Sequence, residues 1–311
     1  MQPVLDLLAL PKAHLHLHLE GAMRPSTLAE LADRAGIEVP RLSDSPDFSE
    51  FIGLYRLATE VLREPSDLRR LLREIAEDNA ADGVTWVEVH TYPPLWQGRL
   101  GGDEEALALV VDCAADAGRT AGIGVGVVVA ADRTELPADA ERWATLAAAY
   151  AGGGVVVGYG LASDETARPA ADFAEAFAIA KEAGLRSVPH AGELAGAGSV
   201  RDALDHLQPD RIGHGVRAVE DAAVLQRLAD EGVVCDVCPT SNLTLGLAPS
   251  PAEHPLQRML DAGVRCTLNA DDPLMFGSSI LQEYELARDR MGLDDDALKG
   301  MAATSLEAAP R

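Results

Sequence analysis

The chain has 311 residues, 47% of them hydrophobic, and sets 50 Asp and Glu against 26 Lys and Arg for a formal net charge of −24. That length can bury a large core, as one barrel-sized domain or two smaller ones, and so acidic a chain with no basic patch is a poor partner for nucleic-acid backbones or anionic membranes. No basic leader with an apolar run opens it and no stretch nears the ~20 apolar residues of a membrane span, so a soluble, cytoplasmic protein without membrane or nucleic-acid partners is expected.

Short β-branched runs alternate with helical stretches, the pattern of repeated βα units and a parallel sheet. The first run lies in Pro11-Lys12-Ala13-His14-Leu15-His16-Leu17-His18-Leu19-Glu20-Gly21. A strand over 14–19 sends His14, His16 and His18 to one face and the leucines to the other. A buried row of imidazoles needs partners, and a divalent metal at the strand end is one that histidines at i, i+2 can share; the alternative is core histidines bonded to backbone carbonyls. Residues 22–83 then hold two or three helices, including an aromatic-rich portion at 48–55 and an amphipathic helix over 67–82 stopped by Gly83. Inserted after the first strand, such helices lie on the C-terminal face of a barrel, where they act as a lid or simply pack.

Further strands are expected at 84–90, 122–130, 155–161, 186–190, 211–214, 233–238 and 265–269, making eight, with 122–129 apolar enough to be covered on both faces. A helix spans 170–183, residues 147–154 read as a helix end and turn, and 305–311 reads as a frayed terminus. Cys113, Cys235, Cys238 and Cys266 read as reduced and structural, with Cys235 and Cys238 on opposite faces of their strand. No repeat, linker or boundary divides the chain. The fold class is therefore α/β: a single (β/α)8 TIM barrel over 1–311 with extra helices after the first strand.

In such a barrel the reactive groups sit where strands end. Strand one offers His16 and His18, strand five runs into Pro189-His190-Ala191-Gly192-Glu193, strand six into Gly213-His214-Gly215, and strand eight into Asn269-Ala270-Asp271-Asp272-Pro273. His16, His18, His190 and Asp271 satisfy one zinc-like ion and leave a position for water, whose pKa such an ion brings to about 7. Glu193 has the reach of a proton donor, while His214 and Asp272 are candidates to orient or deprotonate the water. Each could singly be a rim carboxylate or a satisfied core histidine; their coincidence at one rim argues against that.

These segments, with Gly158-Tyr159-Gly160-Leu161-Ala162-Ser163-Asp164-Glu165 and Cys238-Pro239-Thr240-Ser241-Asn242, resemble the adenosine deaminase family of metal-dependent amidohydrolases, in family order from residue 11 to about 285. The resemblance implies one Zn2+ per chain on His16, His18, His190 and Asp271, Glu193 protonating N1 of a 6-aminopurine, His214 handling the attacking water, and Asp272 accepting a hydrogen bond from the substrate. His18, Glu20 and Ser163 complete the implied substrate contacts. The expected reaction is hydrolytic deamination of an adenosine-type nucleoside to its 6-oxopurine and ammonia; aminodeoxyfutalosine or another 5′-modified adenosine, and adenine, are the alternatives. Three positions depart from the family pattern: Glu20 for an Asp facing the ribose 5′ end, Ser163 for a Gly, and Ala270 for a Thr. They bear on the sugar and leave the reaction class intact.

Other chemistries fit less well. A binuclear hydrolase of this fold bridges its metals with a carbamylated lysine at the fourth strand end, where 160–164 has none, and the cytidine-type zinc motif needs its proline before the cysteine pair. A silent nucleoside-binding protein would lack Glu193, His214 or a ligand, and all are present.

Overall fold

A computed structural model describes residues 5–40, 48–96 and 98–310. The strands are β1 (Lys12–His18), β2 (Val84–Thr91), β3 (Gly124–Asp132), β4 (Val156–Ala162), β5 (Arg186–Ala191), β6 (Arg211–His214), β7 (Val234–Val237) and β8 (Cys266–Leu268). Each pairs in parallel with the next, in the order β1 to β8. The expected barrel is what the chain forms. All eight strands fall where anticipated to within two residues at most ends, and the third starts at Gly124 because the helix Asp103–Ala121 runs up to Gly122, its C-cap.

Between β1 and β2 lie α1 (Pro25–Ala35), α2 (Phe48–Glu60) and α3 (Pro65–Ala81). Residues 41–47 of this stretch lie outside the described residues. α3 is the anticipated amphipathic helix: Leu68, Leu71, Leu72, Ile75 and Ala76 are buried, and Asp67 accepts from the Glu64 N–H at its start. The expected helix over 170–183 opens as a 3-10 turn, Ala170–Phe173, behind Pro169 and becomes α-helical over Ala174–Glu182. At the C-terminus the frayed reading is corrected. Helix Asp295–Ala308 runs through Ser305, whose buried hydroxyl accepts the Ala13 N–H at 2.9 Å, and the carbonyl of Ala309 takes the Arg186 guanidinium. Those anchors lie across the chain, so local composition does not reveal them; Arg311 lies outside the described residues.

β1 is also not the uniform alternation that its sequence suggests. Leu15 N–H and His16 N–H both donate to one acceptor, Oδ1 of Asn269, at 2.8 and 3.1 Å. Two successive amides facing the same way make a bulge, and the β1–β2 register shifts there. Ala13 and Leu15 accordingly pack together with Ala309 and Trp86, whereas Leu17 and Leu19 join the main core between barrel and helices. His14 is thereby thrown to the face opposite His16.

The bulge sits at the seam of the barrel. β8 meets β1 through a single bridge, Leu17 with Asp271, in which His18 N–H donates to Asp271 O and Asp271 N–H to His16 O, at 2.9 and 3.2 Å. Side chains do the rest. His14 Nε2 accepts the Ala270 N–H at 3.0 Å while its Nδ1 pairs with Asn79 of α3 at 2.8 Å. Asn269 leads down to Thr267 and Asp236, and Asp236 pairs with Arg211, which also binds Glu88, forming a fully buried polar layer spanning β1, β2, β6, β7 and β8. A buried charge layer so completely paired is expensive to break from either side.

Candidate active site

The C-terminal ends of the strands converge five imidazoles and three carboxylates. His16 and His18 come from β1, His90 from β2, His190 from β5 and His214 from β6, while Glu193 follows β5 and Asp271 and Asp272 follow β8. Gly213 makes room for them: a Cβ there would lie 2.7 Å from the His16 ring. Gly21 does the same behind Asp272, where a Cβ would come within 1.7 Å of Oδ1.

Asp271 Oδ1 lies 3.3 Å from both His16 Nε2 and His18 Nε2, and His18 Nε2 is 3.2 Å from His190 Nε2. Donors held ~2.0–2.1 Å from a tetrahedral ion are themselves about 3.3 Å apart. The spacing therefore fits one cation at their centre. Both ring nitrogens of buried His16, and Nδ1 of His190, have no hydrogen-bond partner, which is costly for such atoms unless a ligand satisfies them. Charge points the same way. Burial disfavours a charged ring at His18, but Asp272, Asp271 and Glu193 outweigh it and push its pKa up to about 9, so the position attracts positive charge.

Burial, then the carboxylates of Asp271 and Glu165, push the Glu193 pKa well above the usual carboxyl range, which favours its protonated form. Its Oε1 is 3.6 Å from His214 Nε2. Burial brings the His214 pKa down to about 3, so the ring is neutral, and Asn242 Nδ2 donates to its Nδ1 at 3.3 Å while Asn242 Oδ1 accepts from His254. With Nδ1 accepting, the proton rests on Nε2, the nitrogen that faces Glu193. Asp272 is buried, and burial followed by neighbouring Asp271 raises its pKa too.

These groups open on a cavity that is otherwise largely apolar, with Phe51, Leu95, Leu245 and Phe276 in its wall and Ser163 at its rim. Of the anticipated site residues, Glu20 stands apart. It is fully buried, does not line the cavity, and accepts the Tyr55 hydroxyl of α2 at 2.8 Å. α2 itself covers the mouth with Phe51, Ile52 and Tyr55, Phe51 stacking on Phe276 at 5.6 Å. The inserted helices thus sit where a lid would.

His14 does not belong to this centre. Both its nitrogens are engaged at the seam, and the expectation that it would point with His16 fails because of the bulge. His90 was overlooked: it is the penultimate residue of β2, is 1% exposed, lines the cavity, and its ring lies 4.8 Å from that of His16. Reading the last residues of the second strand as closely as those of the first would have found it. Cys238 also has its sulfur within 4.8 Å of donor atoms of His16, His214 and Asp271, whereas Cys235 packs in the outer core; their opposite facing is as expected. The three lysines are spent elsewhere, Lys12 on the carbonyls of Leu7, Leu10 and Asp82, Lys181 on Gln208 and Asp210, Lys299 on Asp296.

The adenosine deaminase family model matches residues 11–310. The chain belongs to the adenosine deaminase family. It is 47% identical over 327 aligned residues, all of this chain and 95% of the other, to a Streptomyces coelicolor protein with the provisional name adenosine/adenine deaminase. Among solved structures it resembles adenine deaminase from Arthrobacter aurescens, at 32% identity and a TM-score of 0.89 over 97% of this chain and 94% of that one. An amidohydrolase from Burkholderia ambifaria with bound zinc aligns at 30% identity and a TM-score of 0.90, over 97% and 86% of the two chains. As a member of this family the protein is a hydrolase that acts on C–N bonds by deamination. Among the described residues no helix is long and apolar enough to cross a membrane.

Proposed function

We propose that the protein holds one zinc ion on His16, His18, His190 and Asp271 and hydrolyses the 6-amino group of free adenine, giving the 6-oxopurine and ammonia. The observation that carries the choice of base over nucleoside is Glu20. The position expected to meet a ribose 5′ end is buried outside the cavity and bonded to Tyr55, and α2 roofs the space a sugar would need. The same roof stands against 5′-extended nucleosides such as aminodeoxyfutalosine. The Arthrobacter relative, named an adenine deaminase, supports this reading; the Streptomyces name keeps adenosine as the second.

When bound, the cation supplies Lewis acidity that makes water a nucleophile near neutral pH. The chain's own groups do the rest. The apolar wall takes the purine faces, and Asp272, buried with Oδ1 lacking a partner, is the polar group that fixes the ring's edge. Glu193, kept protonated, gives its proton to N1 as water adds to C6 and is restored by the proton that the water gives up. His214, with its proton on Nε2, orients the attacking oxygen. The second water proton passes from the C6 hydroxyl to the amine, the C6–N bond breaks as C6=O forms, and ammonia leaves, so that adenine plus water becomes hypoxanthine plus ammonia. Ammonia release by zinc-loaded protein across adenine, adenosine, 5′-deoxyadenosine and aminodeoxyfutalosine tests this. The expected kcat/KM for adenine exceeds that for adenosine by about 10²-fold or more. Parity or reversal removes the base reading, and silence on every 6-aminopurine removes deamination.

A further inference from the structure

The loop that carries Glu193 is held by two buried groups to which the chemistry above gives no part. Glu165, just past β4 and 4% exposed, accepts three backbone N–H groups: Oε1 takes that of Gly192, and Oε2 takes those of Glu193 at 2.9 Å and Ala195 at 2.8 Å. Arg133, just past β3 and 1% exposed, donates through Nη2 to the carbonyl of His190 at 2.7 Å and through Nη1 to that of Arg168 at 3.0 Å. One clamp therefore grips both ends of 190–195, the segment in which a ligand and the proton donor stand three residues apart. A charged acceptor serving three amides is a strong, directional restraint, and one of the three is the amide of Glu193 itself.

We propose that Glu165 is a positioning residue that aims the Glu193 carboxyl at the reacting nitrogen, with Arg133 fixing the other end of the same segment. This rests on the role of Glu193 in the proposed deamination. The chemistry of the pair suits the task. Carboxylate oxygens can accept all three amides at once, whereas the amide of a Gln in that place has one acceptor oxygen and an NH2 that faces N–H groups. The Glu165 carboxyl lies within electrostatic reach of both Glu193 and the Arg133 guanidinium. The carboxylate thus grips the loop without touching the cavity, whose lining does not include it.

The test compares the parent with E165Q and E165D, each loaded with zinc and assayed on adenine. For E165Q, kcat falls about 10²-fold while KM changes by less than about threefold and zinc stays at the parental level, because a donor displaced by about 1 Å loses rate and not ground-state binding. Amide hydrogen exchange gives a second readout independent of turnover: the peptide covering 190–196 exchanges faster by about tenfold or more, and peptides from β1 and β8 do not. E165D keeps the charge but is one methylene short of its three donors, so it lies between the two; it carries the comparison if E165Q does not fold. A kcat within about threefold of the parent at full zinc overturns the proposal, as do a loss confined to KM and unchanged exchange in 190–196. If neither variant folds and holds zinc, Glu165 is a folding element and the proposal fails. A parent that releases no ammonia from adenine refutes the proposed function instead, and the exchange comparison still decides whether Glu165 grips the loop.

Discussion

Four described non-glycine residues adopt positive φ, and three of them are Ser163 (77°), His214 (63°) and Asp271 (61°), all anticipated site residues. Such conformations are uncommon for residues with a Cβ and persist only where the surroundings enforce them. Here the enforcement is visible for Asp271, whose backbone is bonded on both sides to β1 and whose neighbour Ala270 is pinned by His14. Burial raises the Asp271 pKa, but the His16 and His18 rings 3.3 Å from its Oδ1 prevail and hold it well below the usual carboxylate range. The two acids are thereby pushed in opposite directions, the Asp271 pKa down and the Glu193 pKa up. Replacing Glu193 by Gln keeps the shape and removes the transferable proton, so kcat on adenine is expected to fall by about 10³-fold or more with zinc content unchanged. Steady-state kinetics beside metal analysis checks it, and turnover near the parental rate would remove Glu193 from its role.

At the scale of elements, α2 is the piece that makes this barrel different from a bare one. It reaches the mouth because the stretch between β1 and β2 holds two helices more than a βα unit needs, and it is tied down at the rim by the hydrogen bond from Tyr55 to Glu20. Burial pushes the Glu20 pKa up, with the Tyr55 hydroxyl opposing, so the bond favours the ionised acid. A hydrogen bond to such a group contributes roughly 1.5–3 kcal/mol. Tyr55→Phe should accordingly loosen the roof and lower the adenine-to-adenosine preference in kcat/KM by about tenfold or more. An unchanged ratio would mean that this hydroxyl does not close the sugar space. A cavity lined from seven of the eight strand ends and from α2 also explains why a single helix can alter selectivity while the ligand set stays in place.

For the whole molecule, the weak place in the barrel and the active centre coincide. β1 and β8 share one backbone bridge, and the remaining closure is by Asn269, His14 and Ser305. The proposed ligand set spans that same seam, His16 and His18 on one side and Asp271 on the other, with His190 across the barrel. The cation proposed above, bound there and not to the unfolded chain, would stabilise the fold by mass action. Chelation is expected to lower Tm by about 5–10 °C, the equivalent of a few kcal/mol in a chain of this size, and readdition of zinc to restore it. A shift below about 1 °C in calorimetry would show that the seam holds without metal.

The sequence by itself determined the barrel, the order and place of its strands, the reaction class and most of the polar residues that converge at the barrel mouth. Those follow from local signals: apolar runs of strand length, and polar residues at the strand ends, which parallel topology gathers at one face. What only the tertiary structure decided are matters of contact between distant segments. The bulge that separates His14 from His16 depends on Asn269, over 250 residues away. The withdrawal of Glu20 depends on Tyr55, the grip on Glu193 on Glu165, and the anchoring of the C-terminus on Ala13. Periodicity tells which face a side chain takes in a regular strand; it carries no information on where a strand departs from regularity or on which partner a buried polar group finds.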